Sequence, residues 1–152
     1  MHILGTHTGG LLKNTVLAAL AMGGSAALQA LGGWDRPLQV LMAFMAADYA
    51  TGLVVAGLFR RSSKTAGGAR SSQAGFQGLV RKAGVLLLVL LGALLDSATG
   101  SSFVRTAVCF FFIANEGLSV LENLGLMGVP YPQFLRAMLE ALEERADSGK
   151  ES

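Results

Sequence analysis

CFFFIANEGLSVLENLGLMGVPYP, Cys109 to Pro132, decides how this chain is read. It opens as an apolar run of Phe and Ile, then sets Asn115, Glu116, Ser119, Glu122 and Asn123 into the same helical pattern. Glycines and two prolines close it, where a helix has to stop. In helical register Glu116, Ser119 and Asn123 stand at i, i+3 and i+7, on one face. Asn115, Ser119 and Glu122 form an adjoining face. Carboxylates, carboxamides and a hydroxyl on one side of an apolar helix are expected to face other helices or water rather than lipid.

The rest of the composition fits a membrane setting. Of 152 residues, 52% are hydrophobic and 14% charged, and the mean hydropathy is +0.52. A soluble domain carries about 25% charge. The net charge of +2 says little as a total, because the charges are segregated along the chain. Cys109 is the only cysteine and lies in an apolar run, so it reads as a small buried hydrophobe.

Working back from Cys109, a span is expected over 103–124, preceded by a short turn at Thr99–Ser102 and a Leu/Val-rich span over 83–98. Asp96 and Arg105 flank that turn at similar depth, and an ion pair between them is expected. Before it lies the long polar connection 60–82, with Arg60, Arg61, Lys64, Arg70, Arg81 and Lys82 and no acidic residue. Its Ser, Gly and Ala content predicts a mobile loop, and the positive-inside rule makes it the cytoplasmic, topology-determining segment. Nucleic-acid binding is a poorer account of this charge, since no binding fold and little aromatic interleaving accompany it.

A further span is expected over 38–59, with Asp48 near its centre and Thr51 and Gly52 at i+3 and i+4. Ala43, Ala47 and Thr51 make a small-residue stripe on which a neighbouring helix could pack. The uncharged run 15–33 is long enough to cross. It also admits a signal-peptide reading, with Ser25 and Ala27 as the small residues at the cut. Residues 1–14, with His2 and His7, are expected to be a tail. Residues 125–152 are expected to hold a cytoplasmic amphipathic helix, with Phe134, Leu135, Met138, Leu139 and Leu142 opposite Arg136, Glu140, Glu143 and Glu144. The fold expected is therefore an all-α membrane protein: four transmembrane helices as two hairpins plus a C-terminal amphipathic helix, both termini cytoplasmic.

No Gly-rich phosphate loop, nucleophile elbow or HExxH motif is present, so the sequence supports no enzyme, cofactor or metal site. Asp48 and Glu116 lie within about one turn of their helix midpoints, at nearly equal depth. An acid placed there costs roughly 2.5–3.5 kcal/mol on insertion scales, so it calls for a role. The expectation is that both acids pack neutral, donating to Asn115, Ser119 or Thr51, and become hydrated when subunits assemble.

DYATG (Asp48–Gly52), GLVRK (Gly78–Lys82), LLD (Leu94–Asp96), NEGLSVLEN (Asn115–Asn123) and GVPYP (Gly128–Pro132) together resemble the phage lysis and toxin-secretion holin family. The resemblance runs from about Leu38 to Leu142. It implies a small multi-pass protein of the bacterial inner membrane that forms homo-oligomeric lesions in the lipid bilayer. Its functional partner would be a released endolysin or an exported toxin. Asp48, Thr51, Gly52, Asn115, Glu116, Ser119, Glu122 and Asn123 are the pore and assembly candidates. Two other readings stay open: a small ion- or proton-conducting channel or transporter using the same acids, and a structural subunit of a membrane complex.

Overall fold

Residues 4–59 and 68–148 are described here, in a computed structural model. Five α-helices follow one another: α1 (Leu4–Ala30), α2 (Arg36–Val54), α3 (Gly68–Thr99), α4 (Val104–Leu126) and α5 (Gln133–Ser148). No strand occurs among the described residues. Four stretches are long and apolar enough to cross a membrane: Gly10–Ala30, Arg36–Gly57, Gly75–Thr99 and Val104–Leu126. At 1.5 Å per residue each covers the roughly 30 Å of hydrocarbon. The all-α architecture with a fifth, C-terminal helix is the one expected.

The helix ends follow local chemistry. Helix α1 extends back to Leu4, into the segment expected to be a tail. Helix α2 starts where Asp35 caps it, its carboxylate accepting from the Leu38 amide at 3.2 Å, with proline in the first turn. It ends in a π-helical turn, Val55–Phe59. Helix α3 begins well before the expected loop ends, so Arg81 and Lys82 sit inside a helix rather than in a connection. Arg70 lies on its first turn, and Arg60, Arg61 and Lys64 fall outside the described residues. Helix α4 ends as its glycines imply. The Val129 amide reaches back to the Leu124 carbonyl at 3.0 Å, while Gly128 takes φ 80°, a left-handed conformation that a side chain would strain.

Residues 1–34 and 35–152 form two compact units; α1 belongs to the first and α2–α5 to the second. Within the second unit α4 is central, packing against α2, α3 and α5. Leu38 and Leu41 of α2, Val89 of α3 and Cys109 of α4 are fully enclosed. The buried row of α2 runs through Leu38, Leu41 and Met45, one helical face. Ala43 and Ala47 lie on the exposed side, so the expected small-residue stripe does not form the packing seam. Large apolar side chains nearby supply the transfer energy that small ones lack.

Two glycines mark close approaches. A Cβ at Gly92 of α3 would fall 2.9 Å from the Arg105 Cα of α4, so the two backbones nearly touch. A Cβ at Gly117 of α4 would meet Leu139 of α5 and Phe44 of α2, both at 2.9 Å. Helix α5 thus folds back along α4 instead of projecting from it, and its Leu139 seats in the α2/α4 groove.

Candidate functional site

The inward row of α2 continues past Met45 to Asp48 and Gly52, so a carboxylate enters the seam between helices. Thr51, one turn on, donates its hydroxyl to the Ala47 and Asp48 carbonyls at 2.9 and 3.1 Å. That leaves its oxygen free to accept, and it does so from the Asn123 amide at 3.0 Å. The Asn123 amide also donates to Asp48 Oδ1 at 3.2 Å, and the Ser119 hydroxyl donates to the same oxygen at 2.5 Å. Asp48 Oδ2 accepts from Lys82 Nζ at 2.8 Å, and Lys82 also donates to Glu116 Oε2. Three helices meet on this network: α2 through Asp48 and Thr51, α3 through Lys82, α4 through Glu116, Ser119 and Asn123.

The i, i+3, i+7 face of α4 therefore meets α2 and α3, and the donors run the other way from those expected. Asp48 is the acceptor from all three partners, and an ammonium joins it to Glu116, so neither acid is alone. The side chains of Lys82, Asp48 and Glu116 are mostly enclosed, at 15%, 20% and 10% exposure. No buried polar side-chain atom among the described residues lacks a partner. Removing Lys82 would leave two acids near hydrocarbon without their cation, a far larger cost than the pair's net worth.

Depth agrees across the three helices. Counted from Gly57, Gly75 and Leu126, the span ends on one side, the three groups lie about 10–15 Å in at 1.5 Å per residue. Beside them opens a cleft of about 890 Å³ between α2, α3 and α4. Arg81, Asn115 and Glu122 line it with Gly52, alongside Leu88 and Phe112. Asn115 and Glu122 are exposed there, so the adjoining face of α4 borders the cleft while the first face holds the network. Gly52 brings α2 near Asn123, whose amide would lie 3.8 Å from an added Cβ.

The pairing at the α3–α4 turn differs from the one expected. Arg105 extends its guanidinium to Asp35 rather than making its ion pair with Asp96, with both terminal nitrogens engaged at 2.6 and 2.9 Å. Asp96 meets Arg105 through the backbone, accepting from the amides of Val104 and Arg105 at 3.0 Å each. It caps the free N–H groups at the start of α4, which is what a carboxylate at a helix N-terminus does best. The close approach at Gly92 sets this geometry, holding the Arg105 backbone against α3 so that its side chain points on toward α2. The Arg105 guanidinium holds the Asp35 carboxyl below its ordinary range.

Two members of these clusters were not legible as such. Lys82 reads in sequence as the end of a basic loop, although its place directly before an apolar run was a signal that it could enter the bundle. Asp35 reads as a turn residue, since nothing local links it to a position 70 residues later.

The chain matches the model of the Bacteriophage holin family over residues 25–144. It is 36% identical over 120 residues to an uncharacterised protein of Clostridium perfringens, covering 75% of this chain and 80% of that one. It is 33% identical over 121 residues to an uncharacterised protein of Listeria monocytogenes, covering 79% and 81%. It is also 33% identical over 122 residues to a probable holin of Bacillus phage phi105, covering 80% and 84%. No solved structure matches it.

Proposed function

We propose that this chain, which belongs to the bacteriophage holin family, oligomerises in the bacterial inner membrane and opens lesions there. Through them a muralytic endolysin, or in another setting a large toxin, leaves the cytoplasm. The observation that carries this reading is the Lys82–Asp48–Glu116 cluster, shared among three span-length helices and bordered by a cleft of mixed lining. In a single bundle these charges satisfy one another and hold α2, α3 and α4 closed. When copies assemble around water, the same groups can exchange a protein partner for hydration, so opening does not strand a charge in lipid. With the connection between α2 and α3 in the cytoplasm, as its basic residues favour, the N-terminus and the turn between α4 and α5 lie on that side.

The test is inducible expression beside a cytoplasmic muralytic enzyme and a folded reporter protein. A holin gives an abrupt fall in turbidity at a reproducible delay, with the reporter in the medium. Asp48→Asn and Glu116→Gln still insert but shift that delay or abolish lysis. Collapse of ion gradients with the reporter retained inside would replace this reading with a small ion channel.

A further inference from the structure

Helix α5 carries a conflict between where it packs and what it is made of. Leu139 of α5 lies over Gly117, and Tyr131, just before α5, lies over Gly125, so eight residues forward along this segment match eight back along α4. In that antiparallel register Arg136 falls level with Val120, Glu140 with Glu116, and Glu144 with Phe112. Phe112 is 14 residues inside the Leu126 end of its span, about 20 Å at the helical rise. The charged row of a docked α5 therefore stands at hydrocarbon depth.

That row is not turned inward. Arg136, Glu140 and Glu144 recur at i, i+4 and i+8, all three exposed, while Leu139 is set against α4 and Phe134 and Met138, on the flank, stay exposed as well. Arg136 and Glu140 pair at 2.9 Å but remain 44% and 53% exposed, so the pair still needs a polar medium. Lipid would charge roughly 2.5–3.5 kcal/mol for each such residue. Helix α3 differs in carrying no charge between Lys82 and Asp96, where Leu87, Leu91, Leu94 and Leu95 are all exposed, a surface made for acyl chains. The two helices leave α4 on different sides, because Glu116 meets α3 and Gly117 meets α5, and successive residues point about 100° apart.

We propose that α5 lines the water-filled lumen of the assembled lesion, with Arg136, Glu140 and Glu144 facing water and the leucines of α3 facing lipid. This rests on the pore-forming reading and assigns which surface of the subunit makes the hole. A second copy of the chain is the partner it requires, since a ring of copies is what places water beside α5 at that depth.

Planar bilayers containing the purified full chain with Cys109→Ala provide the test. Glu140→Cys, Glu144→Cys and Leu91→Cys are each introduced, and a charged, lipid-impermeant thiosulfonate reagent is added during open current. Stepwise loss of current is expected at 140 and 144, with none at 91. Loss at 91 with no change at 140 and 144 overturns the assignment while leaving pore formation intact. Absence of current from the Cys109→Ala chain and the native chain alike removes the pore reading, and this inference with it. A Gly117→Cys/Leu139→Cys pair supplies the second arm. Current that survives oxidation of that pair supports a docked α5, and current abolished by oxidation and restored by reduction overturns it.

Discussion

Lys82 of α3 donates its ammonium to the Asp48 carboxylate of α2 across 2.8 Å, and the same ammonium reaches Glu116 of α4. A single cation thus ties together three helices. Replacing it with methionine keeps the side chain's length and removes the charge. Lys82→Met should cost about 3–5 kcal/mol, the range for breaking a buried pair from one side. Thermal unfolding in detergent measures it. Adding Asp48→Asn and Glu116→Gln to Lys82→Met should recover part of the loss, and a triple variant no better than Lys82→Met alone would show that the cluster does not act as a unit.

The Asp35–Arg105 pair gives a pH dependence with a definite sign. Arg105 lowers the Asp35 carboxyl below 3.8. A group whose folded value is depressed contributes stability above its unfolded value and loses it as pH falls through the folded one. The detergent-solubilised protein should therefore hold this contribution at pH above about 4 and lose it on further acidification. Asp35→Asn keeps the capping oxygen, since Asn caps about as well as Asp, and removes the charge. The variant should be less stable at neutral pH and show a flatter melting-temperature profile at acid pH. Equal acid sensitivity in both proteins would mean that another carboxylate governs it.

Asp96 should behave as a cap and Asp35 as the ion partner. Asp96→Ala should cost about 0.5–2 kcal/mol, and Asp96→Asn should recover only part of that, since both carboxylate oxygens accept and Asn offers one. Arg105→Leu should be rescued in part by Asp35→Leu and not by Asp96→Leu. Rescue by the Asp96 change instead would restore the pairing across the α3–α4 turn.

Gly92 and Gly117 should differ when each is changed to alanine. At 92 the new methyl meets backbone, Arg105 Cα at 2.9 Å, so the helices must separate. At 117 it meets the ends of Leu139 and Phe44, which can turn away. Gly92→Ala should cost about 1–3 kcal/mol, the overpacking range, and Gly117→Ala less. The order of their melting temperatures decides it.

Topology is testable by single cysteines in a Cys109→Ala background. Impermeant reagent added outside the inner membrane should label positions 35 and 100 and miss position 72. Strong labelling at 72 would invert the chain in the membrane.

Hydropathy alone settled that this chain is helical and multi-pass, because about 20 consecutive apolar residues have no other stable use in a bilayer. The period of α4 was enough to select Glu116, Ser119 and Asn123 as one polar face, and Gly and Pro were enough to end it. These are local properties, fixed by rise per residue and backbone chemistry. What the sequence could not supply was the partner of each charge. Arg105 chose Asp35 over the nearer Asp96 because Gly92 draws its backbone against α3, where Asp96 is already occupied by amides. Lys82 joined Asp48 and Glu116 because α3 starts earlier than its apolar run and carries the lysine into the bundle. Leu139 seated over Gly117 because α4 ends in a turn that sends α5 back along it. Each of these is a choice among several chemically acceptable partners, and distance in three dimensions made it.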